Sequence, residues 1–172
     1  MTKLWNTNFD DTLVRNEVIK FAENVLGLKL ISNEAIYKID LLSVDDPELG
    51  VEVEHGKWNG NFWENESYSK ISNLEFPTLN IPIRKHKYWL EIVKDKPNPS
   101  HSKNIFVRTN KDFTQFIVVK PETVKDPNKL FKTTFQPNNS KEMEDWLSFK
   151  KEDVETYNLI EGKFKLENTN EL

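Results

Sequence analysis

Residues 10–27, "DDTLVRNEVIKFAENVLG", place Val14, Val18, Phe21, Ala22 and Val25 at i, i+4, i+7, i+8 and i+11. That spacing puts all five on one face of a 3.6-residue period and predicts an amphipathic helix. Asp10 or Asp11 can cap its first turn, and Gly27 can end it. The pattern then changes to short runs of apolar and β-branched residues, "LKLIS", "AIYKIDLLS" and "GVEVEH". Each predicts a strand, and "NIFVRTN" and "TQFIVVK", joined through "NKDF", predict two more. Residues 56–80 are polar and aromatic with no period. Gly56 and Gly60 flank Trp58 and Asn59, so this stretch reads either as a mobile substrate loop or as a packed connection anchored by Trp58, Phe62 and Trp63. "RKHKYWLEIVKD", residues 84–95, fits a helix burying Tyr88, Trp89, Ile92 and Val93, and "KEMEDWLSF", residues 141–149, fits another. "KPNPSHSKN" is a turn or exposed loop. There is no internal repeat and no glycine-rich phosphate loop. The order predicts an α+β fold, a mixed sheet with helices packed on it. One domain over residues 1–150 would be followed by an acidic tail over 151–172, with "ENTNEL" frayed at its end.

A length of 172 residues is enough for one domain with a real core. Cysteine is absent and only three histidines are present, so neither a disulfide framework nor a thiolate or histidine metal site is expected. No run approaches the length of a membrane span, and "MTKLWNTNFDD" has no apolar leader region, so a soluble, cytoplasmic protein is expected. The net charge of −4 argues against a strongly basic nucleic-acid binder. Its distribution is uneven. Residues 40–75 carry nine acids against Lys57 and Lys70, whereas residues 84–111 carry eight Lys or Arg against Glu91 and Asp95. An acidic centre beside a basic stretch suits a metal site that faces a polyanion, and it also suits ordinary solvated surface.

The acids in the strand runs are the informative ones. Centring the "SVDDPEL" loop on Asp46 pairs Leu42 with Gly50, Leu41 with Val51, Asp40 with Glu52 and Lys38 with Glu54. Alternation then puts Tyr37, Ile39, Leu41, Val51 and Val53 on one apolar face and Lys38, Asp40, Glu52 and Glu54 on the other. A slip of one residue would mix the two sets, so the pattern supports the register. Directly opposed Asp40 and Glu52 would have β-carbons roughly 5 Å apart, and like charges so placed need protonation, a basic neighbour or a cation. Two oxygen ligands with no sulfur or imidazole suit Mg²⁺ or Mn²⁺, which fill the remaining positions with water and phosphate. Glu54, pointing the same way, would orient or deprotonate a water. The alternative is a solvent-facing sheet surface with a Lys38–Glu54 cross-strand pair. His55 points to the apolar side and reads as structural.

An Asp on one strand, followed after a loop by an acidic residue two before a lysine, with a helix ahead of both, is the core of the PD-(D/E)XK nuclease superfamily. Residues 10–58 resemble it through Asp40 and Glu52-Val53-Glu54. The resemblance implies a restriction-endonuclease-like mixed central sheet flanked by helices, with metal on Asp40 and Glu52. It departs at Glu54, which stands where the lysine would be. Some restriction endonucleases of this superfamily carry Glu there and still cut. In others the lysine comes from elsewhere; Lys38 by register, or Lys57 and Lys85 by nearness in sequence, would supply it. Members that use a glutamate from the first helix point to Glu17 or Glu23.

"NIPIRKHKYW" interleaves Arg84, Lys85 and Lys87 with Tyr88 and Trp89. Cations among aromatics suit a phosphate backbone and unstacked bases, and an acid cluster at a phosphate needs such bases around it. Tyr88 and Trp89 equally suit a core. The expectation is a Mg²⁺- or Mn²⁺-dependent endonuclease acting on DNA, with Asp40 and Glu52 on the metal, Glu54 on the water, and Lys38 or Lys85 on the charge that builds up at phosphate. Arg84, Lys85 and Lys87 would hold nucleic acid, and a homodimer, common among cutters of duplexes, is compatible with it. Its rivals are an inactive nuclease-like fold that binds nucleic acid or protein, favoured by Glu54, and an unrelated α+β interaction protein of a phage or mobile element, favoured by the acidic tail.

Overall fold

The apolar face of the first segment forms the helix that its spacing requires. In the computed structural model, which describes residues 9–34, 39–70, 74–82, 92–93, 96–97, 103–125, 131–135 and 144–167, helix α1 runs over Phe9–Phe21 and widens into a π-helical turn over Ala22–Leu26. Gly27, at φ 69°, ends it and donates its N–H to the Ala22 carbonyl; a side chain there would strain the backbone. Val14, Val18, Phe21 and Ala22 are buried, as the helical period requires.

Strands β1 Leu30–Ser32, β2 Leu41–Ser43 and β3 Gly50–His55 follow as an antiparallel meander. A 3₁₀ turn at Phe62–Glu64 and short helix α2 Glu66–Ser69 lead to β4 Thr78–Pro82. β5 Ile92–Val93 and β6 Lys96–Pro97 pair with each other. β7 Ile105–Thr109 and β8 Gln115–Val119 form a hairpin, followed by α3 Pro121–Lys125 and β9 Phe131–Phe135. β10 Glu144–Lys150, β11 Glu155–Ile160 and β12 Lys163–Leu166 complete the described elements.

Seven strands make one mixed sheet in the order β1-β2-β3-β7-β8-β11-β12, in which β3 and β7 are parallel. β4-β10-β9 make a second, antiparallel sheet. The chain is therefore α+β with a mixed central sheet. The runs in β7 and β8 are buried along their whole length, which requires cover on both faces. On one face Leu41, Val51, Val107, Phe116 and Val118 pack against Val18, Phe21 and Ala22 of α1, with the Phe21 ring stacked on Phe116 at 4.2 Å. On the other, Phe106, Ile117 and Val119 meet Trp58, Phe62, Trp63, Leu79, Ile81, Leu147 and Phe149 from the connection and the second sheet. Over its described residues the 56–80 stretch is thus anchored by Trp58, Phe62 and Trp63.

Three expectations change. "KEMEDWLSF" is not a helix where it is described: residues 144–150 form β10, with Leu147 and Phe149 in the core and Ser148 on Asn80. The period of 2 at Leu147 and Phe149 sets the strand, with both side chains in the core. Ile92–Val93, placed in a helix by sequence, is extended; the rest of 84–95 lies outside the described residues. The 151–172 stretch is no tail over its described part, because β11 and β12 extend the main sheet from β8. Glu161 and Gly162, at φ 50° and 81°, form the two-residue turn between them, which matches the twist of a hairpin. Among the described residues no helix is long and apolar enough to cross a membrane.

Candidate functional site

The β2–β3 turn is built on Asp46. Its carboxylate accepts from Glu48 N at 3.0 Å, its carbonyl from Leu49 N at 3.1 Å, and its own N–H donates to Ser43 Oγ at 3.1 Å. That turn sets Leu42 opposite Gly50 and Leu41 opposite Val51, the register obtained by centring the loop on Asp46. Beyond Leu41 the ladder changes character. Residues 39–40 leave the strand, residues 35–38 lie outside the described residues, and the Asp40 side chain takes the place of a backbone acceptor: Val53 N donates to Asp40 Oδ2 at 2.9 Å. One carboxylate is thereby brought against the middle residue of Glu52-Val53-Glu54.

The other Asp40 oxygen faces α1. Arg15 Nη2 lies 3.2 Å from Asp40 Oδ1, while Arg15 Nη1 donates to Ser32 Oγ at 2.6 Å and to the Asn33 carbonyl at 3.2 Å. Asn33 in turn bonds Ile39 O through its side chain and Asp40 O through its amide. This knot ties Asn33, Ile39 and Asp40 to α1 and to the end of β1. Of the three ways to relieve opposed carboxylates, a basic neighbour is the one in place at Asp40.

Glu52 and Glu54 point away from Val51 and Val53, toward the second layer. Glu52 is buried and sits opposite Phe106 in the parallel β3–β7 pair. A solvent-facing sheet surface is therefore ruled out for it. Glu54 sits opposite Arg108, whose Nη2 is 2.6 Å from Glu54 Oε1. Arg108 is itself buried, donates from Nη2 to the Asn80 carbonyl at 2.9 Å, and lies over the rings of Phe62 and Phe106. Thr78 Oγ1 and Ser148 Oγ both donate to Asn80 Oδ1, so the chain Glu54–Arg108–Asn80 ties the two sheets together.

Sequence reasoning named neither Arg15 nor Arg108. Arg108 carried a signal, since it interrupts the apolar run "NIFVRTN" as Asp40 interrupts "AIYKIDLLS". Arg15 carried less, being one of several polar residues flanking the helix face. The structure joins Asp40 to the Glu52-Val53-Glu54 backbone. Lys38, Arg84, Lys85 and Lys87 lie outside the described residues. Glu17 pairs with Lys20 at 3.7 Å, and Glu23 is exposed. His55 stacks on Phe113 at 5.1 Å with Nε2 3.1 Å from Lys111 O, a structural arrangement.

Neither protein-family models nor curated proteins yielded a match to the chain. Chemistry must then speak for the site. Among the described residues no group of three or more Asp, Glu, His or Cys side chains is arranged to hold a metal. A Mg²⁺ or Mn²⁺ ion needs only one or two protein carboxylates, with water and phosphate in the remaining positions. Asp40 and Glu52 offer oxygen donors on adjoining chain segments, with Asp40 Oδ1 turned to Arg15 of α1 and Glu52 on the face of β3 opposite to Val51 and Val53.

Proposed function

We propose that the chain is a metal-dependent endonuclease that hydrolyses phosphodiester bonds in DNA, on a restriction-endonuclease-like fold. The observation that carries this reading is the 2.9 Å hydrogen bond from Val53 N to Asp40 Oδ2, which sets an aspartate against the acid-x-acid tripeptide. The helix, meander and mixed sheet around it support the same resemblance. Asp40 and Glu52 are the residues that would hold Mg²⁺ or Mn²⁺. A divalent ion there would supply Lewis-acid polarisation of a phosphoryl oxygen and would lower the pKa of a bound water. Glu54, fixed by Arg108, orients the attacking water and takes its proton as the P–O bond opposite the attack breaks. Lys38 or Lys85 offsets the charge developing on phosphate, and Arg84, Lys85 and Lys87 hold the DNA backbone.

A second reading is a nuclease-like fold without activity that binds nucleic acid or protein. The arginines on Asp40 and Glu54 favour it. Plasmid nicking in Mg²⁺ separates the two. The purified chain is expected to nick, and Asp40→Asn, which keeps an oxygen for Val53 N but loses the charge, is expected to lower the rate at least about a hundredfold, the scale of a lost charge-stabilising group. Equal rates in both proteins would identify a contaminant and end the catalytic reading.

A further inference from the structure

The two edges of the seven-stranded sheet are built differently. β12 carries Lys163 and Lys165, both exposed, and lysines on an edge discourage a further strand from adding there. β1 is Leu30-Ile31-Ser32 and carries no charge of its own. Its bonds to β2 fix what it offers on the other side. Val44 N donates to Lys29 O, and Asn33 N donates to Asp40 O. The odd-numbered residues therefore pair inward, and the N–H and C=O groups of Leu30 and Ser32 point away from β2. Among the described residues no strand lies on that side. An apolar surface adjoins this edge. Leu30 is buried in the cluster of Val18 and Phe21 from α1, so alternation sends Ile31 to the opposite face. There Ile31 pairs with Leu42 and is 53% exposed, and Val44, two residues beyond Leu42, is 56% exposed.

We propose that β1 is the contact edge of a symmetric homodimer, in which two copies pair their β1 strands antiparallel about Ile31. A second copy is the occupant because the edge complements itself. Centring the pair on Ile31 sets Leu30 of each copy opposite Ser32 of the other, so the outward N–H and C=O groups of one copy bond those of its partner. Ile31 meets its own counterpart at the two-fold axis, with Leu42 and Val44 of both copies on the same face. Charge agrees with this direction. Lys29 and Glu34, both exposed, flank the strand at its two ends, and antiparallel pairing brings Lys29 of each copy beside Asn33 and Glu34 of the other. Parallel pairing would set lysine against lysine. Two seven-stranded sheets become one continuous sheet, and the isologous contact closes at two copies. The edge is short, so association is weak and depends on concentration. The contact is independent of the metal-site reading.

The test is sedimentation of the full chain from about 1 μM to about 1 mM, a span that reads weak association, with each variant checked for folding by circular dichroism. Wild type is expected to pass from monomer to dimer. Ile31→Lys, which sets like charges directly opposite each other, is expected to raise the dissociation constant at least about tenfold. Leu166→Lys, on the β12 edge, is expected to leave it unchanged. The chain has no cysteine, so Ile31→Cys supplies a single thiol. Opposed residues of this kind have Cα atoms about 4.5 Å apart, within disulfide reach. Mild oxidation is expected to link Ile31→Cys into a dimer and to leave Val44→Cys largely unlinked, because its counterpart lies about three strand spacings away. A monomer at every concentration overturns the proposal and leaves the edge to an extended segment of a different protein. A dimer that survives Ile31→Lys, is weakened as much by Leu166→Lys, or links equally through Val44→Cys overturns β1 as its contact. Should Ile31→Lys not fold, the comparison of the two cysteine variants decides alone.

Discussion

Asp40 and Glu54 each meet an arginine, but in different surroundings. The Arg15–Asp40 pair lies where α1 meets an irregular segment, with side chains 22% and 25% exposed. The Arg108–Glu54 pair has its arginine only 8% exposed, between aromatic rings, with a glutamate 27% exposed at its mouth. The first pair is partly open to solvent and is therefore screened. The second is a fixture between sheets, where an uncompensated charge would be costly. One tripeptide thus lies between a partly exposed ion pair and one whose arginine is buried.

The largest effect that could break this contrast is on stability. Arg108→Met is expected to cost about 3 kcal/mol in urea unfolding, because Glu54 and the Asn80 carbonyl lose their charged donor. Replacing both partners, as in Glu54→Leu with Arg108→Met, is expected to recover part of that loss, since an apolar pair leaves no charge unmatched. A single-variant loss below about 1 kcal/mol, the surface-pair range, would remove the claim that this pair is fixed.

A smaller effect is expected on the other side. Arg15→Gln should cost about 1 kcal/mol, the scale of a net hydrogen bond. The difference from wild type should shrink as NaCl is raised, because a partly exposed pair is screened. A loss as large as that of Arg108→Met, and indifferent to salt, would erase the distinction between the two regions.

A third ion pair gives the exposed limit. Asp46 is held below its usual pKa first by the Glu48 amide and then by Lys103, and Lys103 is raised chiefly by Asp46. The carboxylate titrates lower when folded, so its contribution is complete above pH 3.8 and is lost as pH falls through the folded value. That of Lys103 is complete below pH 10.5 and is lost as pH rises through its folded value. In Lys103→Gln the NMR midpoint of Asp46 is expected to rise yet remain below 3.8, since the Glu48 amide persists. A midpoint at or above 3.8 would mean that the lysine, not the turn, sets it.

How far these regions could be read in advance followed the range of their contacts. The α1 face and the β2–β3 register were legible because both depend on neighbours within a few turns or one short loop. Centring on Asp46 reproduced the pairing of Leu41 with Val51. Arg108 was visible as a charge in an apolar run, but its partner was not. Parallel pairing of β3 with β7 joins Glu54 to Arg108 across a long connection, and no local period encodes that. The same holds for the burial of Glu52, which depends on a second sheet whose strands come from residues 78–82, 131–135 and 144–150. The β11–β12 hairpin was hidden for another reason. Its acids suggested a tail, although Gly162 between "ETYNLI" and "KFKL" is a turn signal.

The most direct test is a crystal structure of the chain grown in Mn²⁺ with an anomalous difference map. A peak about 2.1 Å from carboxylate oxygens of both Asp40 and Glu52 is predicted. No peak at that pair would contradict the account.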